Sequence, residues 1–225
     1  MSTNRREFLE HVGAAAMLGA LPLAGLADLR LSEANTVAAE DWDLSWTPKL
    51  KGKKHKACFD CTEIESGFGP FRSSVWSAQY QAAGGAKPAE IQTVLVLRHN
   101  AAVLALKEEF WKTYAVGKGE SVTHPITQQS SDRNPSFFTA AAGDVPAMWD
   151  HFAVPRFIER GGIVLVCNLA LGHFAHKYVA KDGVSAEEAH KRIVAAVMPG
   201  AIVQPSGVLA VVRAQQEGCV YVKGA

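Results

Sequence analysis

Cys167 is the residue best placed to do chemistry. It ends the apolar run Ile163-Val164-Leu165-Val166 and precedes Asn168-Leu169-Ala170-Leu171, which reads as the start of a helix. A thiol at a strand-to-helix junction meets the positive end of the helix dipole, and that favours the nucleophilic thiolate. The competing reading is a packed cysteine, since free cysteines are among the most buried residues. His99 follows a second apolar run, residues 91–97. An imidazole there suits a base toward a thiol or, as imidazolium, a holder of anions; a satisfied structural histidine is the alternative. Cys58 and Cys61 form a C-x-x-C. A redox pair of that spacing opens a helix, whereas Cys58 falls inside a strand, acidic Glu63 and Glu65 follow, and residues i and i+3 of a strand face opposite sides. Cys61 by itself sits at a strand tip, and it can bridge to Cys167 if the two Cα atoms come within about 7 Å. Cys219 reads as core. Thr62 stands where a haem-attachment motif needs histidine. His173 and His176 share a helical face and can hold a metal together, or simply face solvent; a metal site built from His99, Cys167 and Cys61 is a further option. Neither GxGxxG nor GxxxxGK[ST] occurs, and no cofactor is expected.

These residues need a scaffold, and alternating strand and helix patterns supply one. Strands are expected at 56–60, 91–97, 163–167, 201–204 and 219–222. Helices are expected at 70–83, 101–114, 152–160, 169–179, 185–197 and 207–216, with Ser185 and Glu188 making a capping box. The apolar runs suit parallel strands covered on both faces. The order implies βαβ units in a mostly parallel five-stranded sheet, a three-layer α/β/α fold. Ligands of such sheets bind outside the carboxyl ends of the strands. That rule gathers Asp60-Cys61, Arg98-His99-Asn100, Cys167-Asn168 and Gln204-Pro205-Ser206 as candidates. The polar, Gly/Ser/Pro-bearing segment 117–146, carrying His124 and Phe137-Phe138, reads as an insertion that serves as a lid or an oligomer contact. Lys49 to Lys56 is a basic lead-in to the first strand, and Trp42 and Trp46 tack the preceding arm onto the domain.

The chain has 225 residues, 48% of them hydrophobic and 20% charged, which is enough to build a core and excludes wholesale disorder. Lys+Arg is 23 against Asp+Glu 22, so no nucleic-acid partner is expected. The N-terminus begins with Arg5-Arg6-Glu7-Phe8-Leu9, continues through a mild apolar stretch over 12–27, and offers Gly25-Leu26-Ala27 as small residues at a cut. That layout resembles a twin-arginine (Tat) export signal. The expected organisation is a signal over 1–27, an arm over 28–53 and an α/β domain over 54–225. The expected location is the periplasm, with no membrane association after cleavage.

The segment from Gly161 to Leu171, with its strand, cysteine and helix, resembles the corresponding segment of DsrE-like proteins. Residues 199–208 and 215–222 look like the last two strands of that family, and 93–99 like its second strand. The resemblance covers residues 54–223. It implies a five-stranded α/β/α domain, usually oligomeric, in which the cysteine at the place of Cys167 carries sulfur as a persulfide and hands it to a partner. A homo-oligomer and a donor or acceptor of sulfur, protein or small molecule, are therefore the expected partners. On this reading His99 and Asn168 position the sulfur and Cys61 resolves it. The alternative is a noncatalytic ligand-binding or assembly module on the same fold.

Overall fold

The computed structural model describes residues 42–225, which fall in one compact unit, Ala39–Ala225. The expected signal over 1–27 and most of the arm lie outside the described residues. Five strands, β1 (His55–Cys61), β2 (Ile91–Leu97), β3 (Ile163–Cys167), β4 (Ala201–Gln204) and β5 (Val220–Lys223), form an all-parallel sheet in the order β4-β3-β2-β1-β5. Helices cover both faces, giving a three-layer α/β/α fold.

Strand order dictates which face each helix takes. From β1 through β4 the chain steps in one direction across the sheet. Right-handed crossovers then place every intervening helix on the same face. These are α1 (Phe68–Gly84), α2 (Glu108–Tyr114), α3 (Val116–Gly119), α4 (Val154–Glu159), α5 (Asn168–Tyr178) and α6 (Ala186–Ala195). After β4 the chain reverses and runs to the far edge beyond β1, so α7 (Gly207–Gln216) crosses the opposite face. The two cores follow strand alternation. Ala57, Phe59, Cys61, Leu95, Leu97, Val164 and Val166 meet Leu171, Phe174 and Ile193 on one side. Cys58, Val94, Val96, Ile163 and Leu165 meet Ala210, Val211 and Ala214 on the other, together with Trp46 and Leu50. All seven residues of β2, the middle strand, are buried.

Trp46 is wholly buried, and its indole N–H donates to Gln204 Oε1 at 3.2 Å. Gln204 Nε2 donates in turn to the Asp43 carbonyl at 2.9 Å, so the end of β4 is engaged in holding the incoming chain. The basic lead-in is mostly exposed, with Lys54 paired to Glu90 and Lys56 donating to the Glu217 carbonyl. Ser185 caps α6 by accepting from Glu188 N.

One expected helix is not continuous. Residues 101–114 form a 3-10 stretch (His99–Ala105) and then α2, broken at Leu106-Lys107. The reason is burial all round: Ala101 through Leu106 are fully enclosed, so no amphipathic stripe exists to orient a helix. Backbone groups at the break are satisfied elsewhere. Lys107 N donates to the Ala196 carbonyl and Met198 N to the Ala105 carbonyl. The amide of fully buried Asn134 donates to the carbonyls of Leu104 and Leu106, at 3.1 and 2.7 Å. The segment 117–146 is therefore clamped to the domain through Asn134. Phe138 and Val145 extend that anchoring, packing with Phe152 in a small core of their own. His124 is held within the segment: its ring stacks on Phe138, and Nδ1 accepts from the backbone of Ile126 and Thr127.

Candidate functional site

A parallel sheet opens a crevice where adjacent strands send their connections to opposite faces. Here that occurs between β3 and β4. The chain leaves β3 into α5 on one face and leaves β4 into α7 on the other. A cleft of about 380 Å³ lies at this point, lined by Cys167, Leu169, Ala170 and His173 from β3 and α5, Ser206 to Val208 at the start of α7, and Arg98 to Asn100 after β2. Two helix N-termini thus flank one opening, each with unpaired backbone N–H groups and a partial positive charge. Ser206 caps α7 by accepting from Leu209 N at 3.1 Å. Cys167 is the N-cap residue of α5, and its sulfur makes no capping hydrogen bond.

Arg98 forms one wall. Its guanidinium is clamped on Asp60, Nε to Oδ1 at 2.7 Å and the terminal nitrogen to Oδ2 at 2.8 Å. The Tyr221 hydroxyl donates to Oδ2 as well, at 3.2 Å. The hydrogen bond to Asp60 is the main reason that Arg98 is held above the ordinary arginine range; burial opposes it, and the charges of Asp60, Tyr221 and Cys167 add to it. Gly207 is required for this wall. A Cβ there would lie 2.3 Å from Arg98 Cβ.

The four expected site residues separate into two groups. Cys167 and His99 line the cleft together. His99 takes a left-handed backbone conformation, φ 51°, which turns its ring outward to the rim. Nδ1 lies 3.5 Å from Glu63 Oε1, while Glu63 Oε2 accepts from Asn100 Nδ2 at 2.8 Å. No hydrogen bond joins His99 to Cys167 among the described residues. Asn168 is buried, and its Oδ1 meets His190 Nε2 at 2.9 Å. Through that contact it ties α5 to α6, and it is not among the residues lining the cleft.

Cys61 does not belong to the cleft either. It pairs in register with Leu97, which pairs with Val166, so the whole of β2 separates it from β3. Two strand spacings amount to roughly 10 Å, beyond disulfide reach. All four cysteines are free. The Cys61 sulfur is sealed between Gly69 and Gly224, where an added Cβ would approach it to 2.5 and 2.6 Å. Burial, reinforced by Asp60, pushes its thiol far above the usual range. The two cysteines of the C-x-x-C face opposite cores, Cys58 toward α7 and Cys61 away from it. Burial pushes Cys58 up to about 12 and Cys219 up to about 11. No group of three or more His, Cys, Asp or Glu is arranged to hold a metal among the described residues, so the His99-Cys167-Cys61 set does not assemble and no third such ligand joins His173 and His176.

Arg98 and Asp60 stood among the strand-end candidates without a role, and the structure joins them in one ion pair at the cleft wall. Their signal was present: a carboxylate and a guanidinium at the matching ends of two neighbouring buried strands. No family model, curated protein or solved structure matches the chain.

Proposed function

We propose that the protein is an exported sulfur carrier of the DsrE-like type that takes up sulfane sulfur on Cys167. The thiolate of Cys167 attacks the outer sulfur of a donor persulfide or of thiosulfate. A new S–S bond forms at Cys167, the donor's S–S bond breaks, and a thiolate or sulfite leaves with the electron pair. Oxidation level is conserved across the pair, and a second thiolate reverses the step to unload the sulfur. The observation that carries this reading is a thiol lining the switch-point cleft beside a guanidinium and two helix N-termini. That setting suits an anionic persulfide and an anionic donor. Arg98 faces the incoming charge, and His99 at the rim supplies a second group able to meet an anion. The Arg5-Arg6 start supports export, and cell fractionation checks it by finding the processed chain in the periplasm.

Mass spectrometry after incubation with polysulfide tests the carrier role. One added sulfur on Cys167, absent from Cys167→Ala, is the expected result. No gain, or the same gain in Cys167→Ala, defeats it.

A second reading is an assembly module, and a specific observation favours it. Val208 and Val212 on α7 and Tyr221 on the same side of the edge strand β5 are exposed at 61, 47 and 45%. That apolar surface suits a subunit contact and supports a homo-oligomer on either reading. Thiol titration separates the two. A Cys167 that is alkylated only after unfolding supports assembly alone, whereas labelling in the native state supports the carrier.

A further inference from the structure

A sulfur donor for Cys167 has to suit the walls of its cleft, and those walls carry little net charge. Among the described residues lining the cleft, Arg98 alone has a permanent charge, and both oxygens of Asp60 accept from it. His99 at the rim stands 3.5 Å from Glu63. What remains is the positive end of two helices, α5 and α7, each equivalent to about half a charge. The Cys167 thiolate draws on that potential itself. Thiosulfate is a dianion, so it would bring the total to three negative charges in one cleft, and like charges so close repel.

The same walls are mostly apolar. Leu169 from α5 and Val208 from α7 line the opening from its two helices and remain 42 and 61% exposed. An exposed leucine or valine alone says little, but these two share one cleft with a thiol. Ala170 and Gly207 in the same lining are small and leave room. His173 lines the cleft as well, and its ring makes no hydrogen bond or ion pair among the described residues. Apolar walls with a few polar groups to fix orientation are the usual make-up of a site for a small organic molecule.

We propose that the sulfur donor is a small organic thiosulfonate, R–SO2–S−, an anion with a single charge and a hydrocarbon group. This rests on Cys167 being the sulfur carrier. The hydrocarbon lies against Leu169 and Val208, the sulfonyl oxygens face His173 and the helix termini, and the outer sulfur meets Cys167. The thiolate attacks that outer sulfur. An S–S bond forms at Cys167, the donor's S–S bond breaks, and the sulfinate R–SO2− leaves with the electron pair. One thiolate and one thiosulfonate anion give one persulfide anion and one sulfinate anion, so atoms, charge and electrons balance with no further reagent.

Benzenethiosulfonate and thiosulfate are a matched pair of probes. In both, the outer sulfur sits on a sulfonyl sulfur, and a phenyl group in one replaces a charged oxygen in the other. Loading of the full-length chain by each is followed by mass spectrometry at pH 8, above the range in which imidazoles ordinarily take up a proton. Each rate is divided by the rate with free cysteine, which removes the difference between sulfinate and sulfite as leaving groups. The normalised rate on Cys167 should favour benzenethiosulfonate by about tenfold. Val208→Lys exchanges an exposed apolar contact for a cation and should narrow that preference to below about threefold. The donor comparison on the unaltered chain needs no variant to fold. Equal normalised rates, a preference for thiosulfate, or an undiminished preference in Val208→Lys would each overturn the donor class, while loading by polysulfide in the same samples would leave the carrier role standing. No loading of Cys167 by any donor, polysulfide included, would defeat both.

Discussion

Replacing Asp60 by asparagine removes the charge that anchors the cleft wall and changes almost nothing in shape. Asp60 has 4% of its side chain exposed, and it accepts both prongs of the Arg98 fork as well as the Tyr221 hydroxyl. Breaking a fully buried ion pair from one side costs about 3–5 kcal/mol. Arg98 keeps 29% of its side chain exposed, so water takes over part of the guanidinium once the carboxylate is gone. The loss expected for Asp60→Asn is accordingly about 2–3 kcal/mol, since Asn retains one acceptor but turns an amide donor toward guanidinium N–H groups. For a chain of this size that lowers the melting temperature by roughly 4–12 °C.

The asymmetry in burial makes the prediction sharper. Arg98→Met leaves the more buried partner, the carboxylate, without its cation, and should therefore destabilise more than Asp60→Asn does. The double variant should be more stable than the two single losses added together. Urea unfolding at neutral pH measures all four corners of this cycle. If the losses add to within about 0.5 kcal/mol, the two side chains are not energetically coupled. The claim that Asp60 holds Arg98 against the cleft would then be wrong.

Two further outcomes follow from the same packing. Burial raises the thiols of Cys58 and Cys219 above the ordinary value of 9.0, so the folded chain keeps protons that the unfolded chain releases as pH climbs. Their contribution is intact below about pH 9 and is lost between there and about pH 12; at pH 10.5 Cys58 alone accounts for about 2 kcal/mol. Urea unfolding at pH 8 and 10.5 should show a shallower decline for Cys58→Ala, and parallel profiles would count against the burial argument. Gly207→Ala forces a Cβ to within 2.3 Å of Arg98 Cβ and should cost about 1–3 kcal/mol. In Gly172→Ala, by contrast, the new Cβ meets nothing closer than 4.0 Å inside α5, so this change should stabilise by about 0.5–1 kcal/mol. Equal effects of the two glycine changes would remove Gly207's special place.

Much of the scaffold was legible because its signals are local. The apolar runs at 91–97, 163–167 and 201–204 coincide with β2, β3 and β4, and the Ser206-Gly207 start of α7 carries its own cap. Residues 101–114 misled because their apolar periodicity was that of a segment buried on every side, whose hydrogen bonds go to Asn134 and the 196–198 backbone. No local pattern predicts partners so distant. Cys61 misled for a related reason. A strand tip is a good address for a site only within reach of the crevice, and the whole width of β2 lies between Cys61 and β3.

The position of the cleft nonetheless follows from one topological fact. Four strands laid down in one direction commit every preceding helix to a single face, so the opposite face stays uncovered until the chain turns back. The return from β4 to the edge beyond β1 must therefore begin beside the carboxyl end of β3. That brings the amino end of α7 opposite the amino end of α5 with Cys167 between them. A chain that continued outward from β4 would have put its last helix on the crowded face and left Cys167 without a facing helix terminus. The placing of two helix N-termini around this thiol is thus a property of strand order first and of individual residues second. Arg98 and Gly207 then refine it, the one by forming a wall held by Asp60 and the other by leaving room for it.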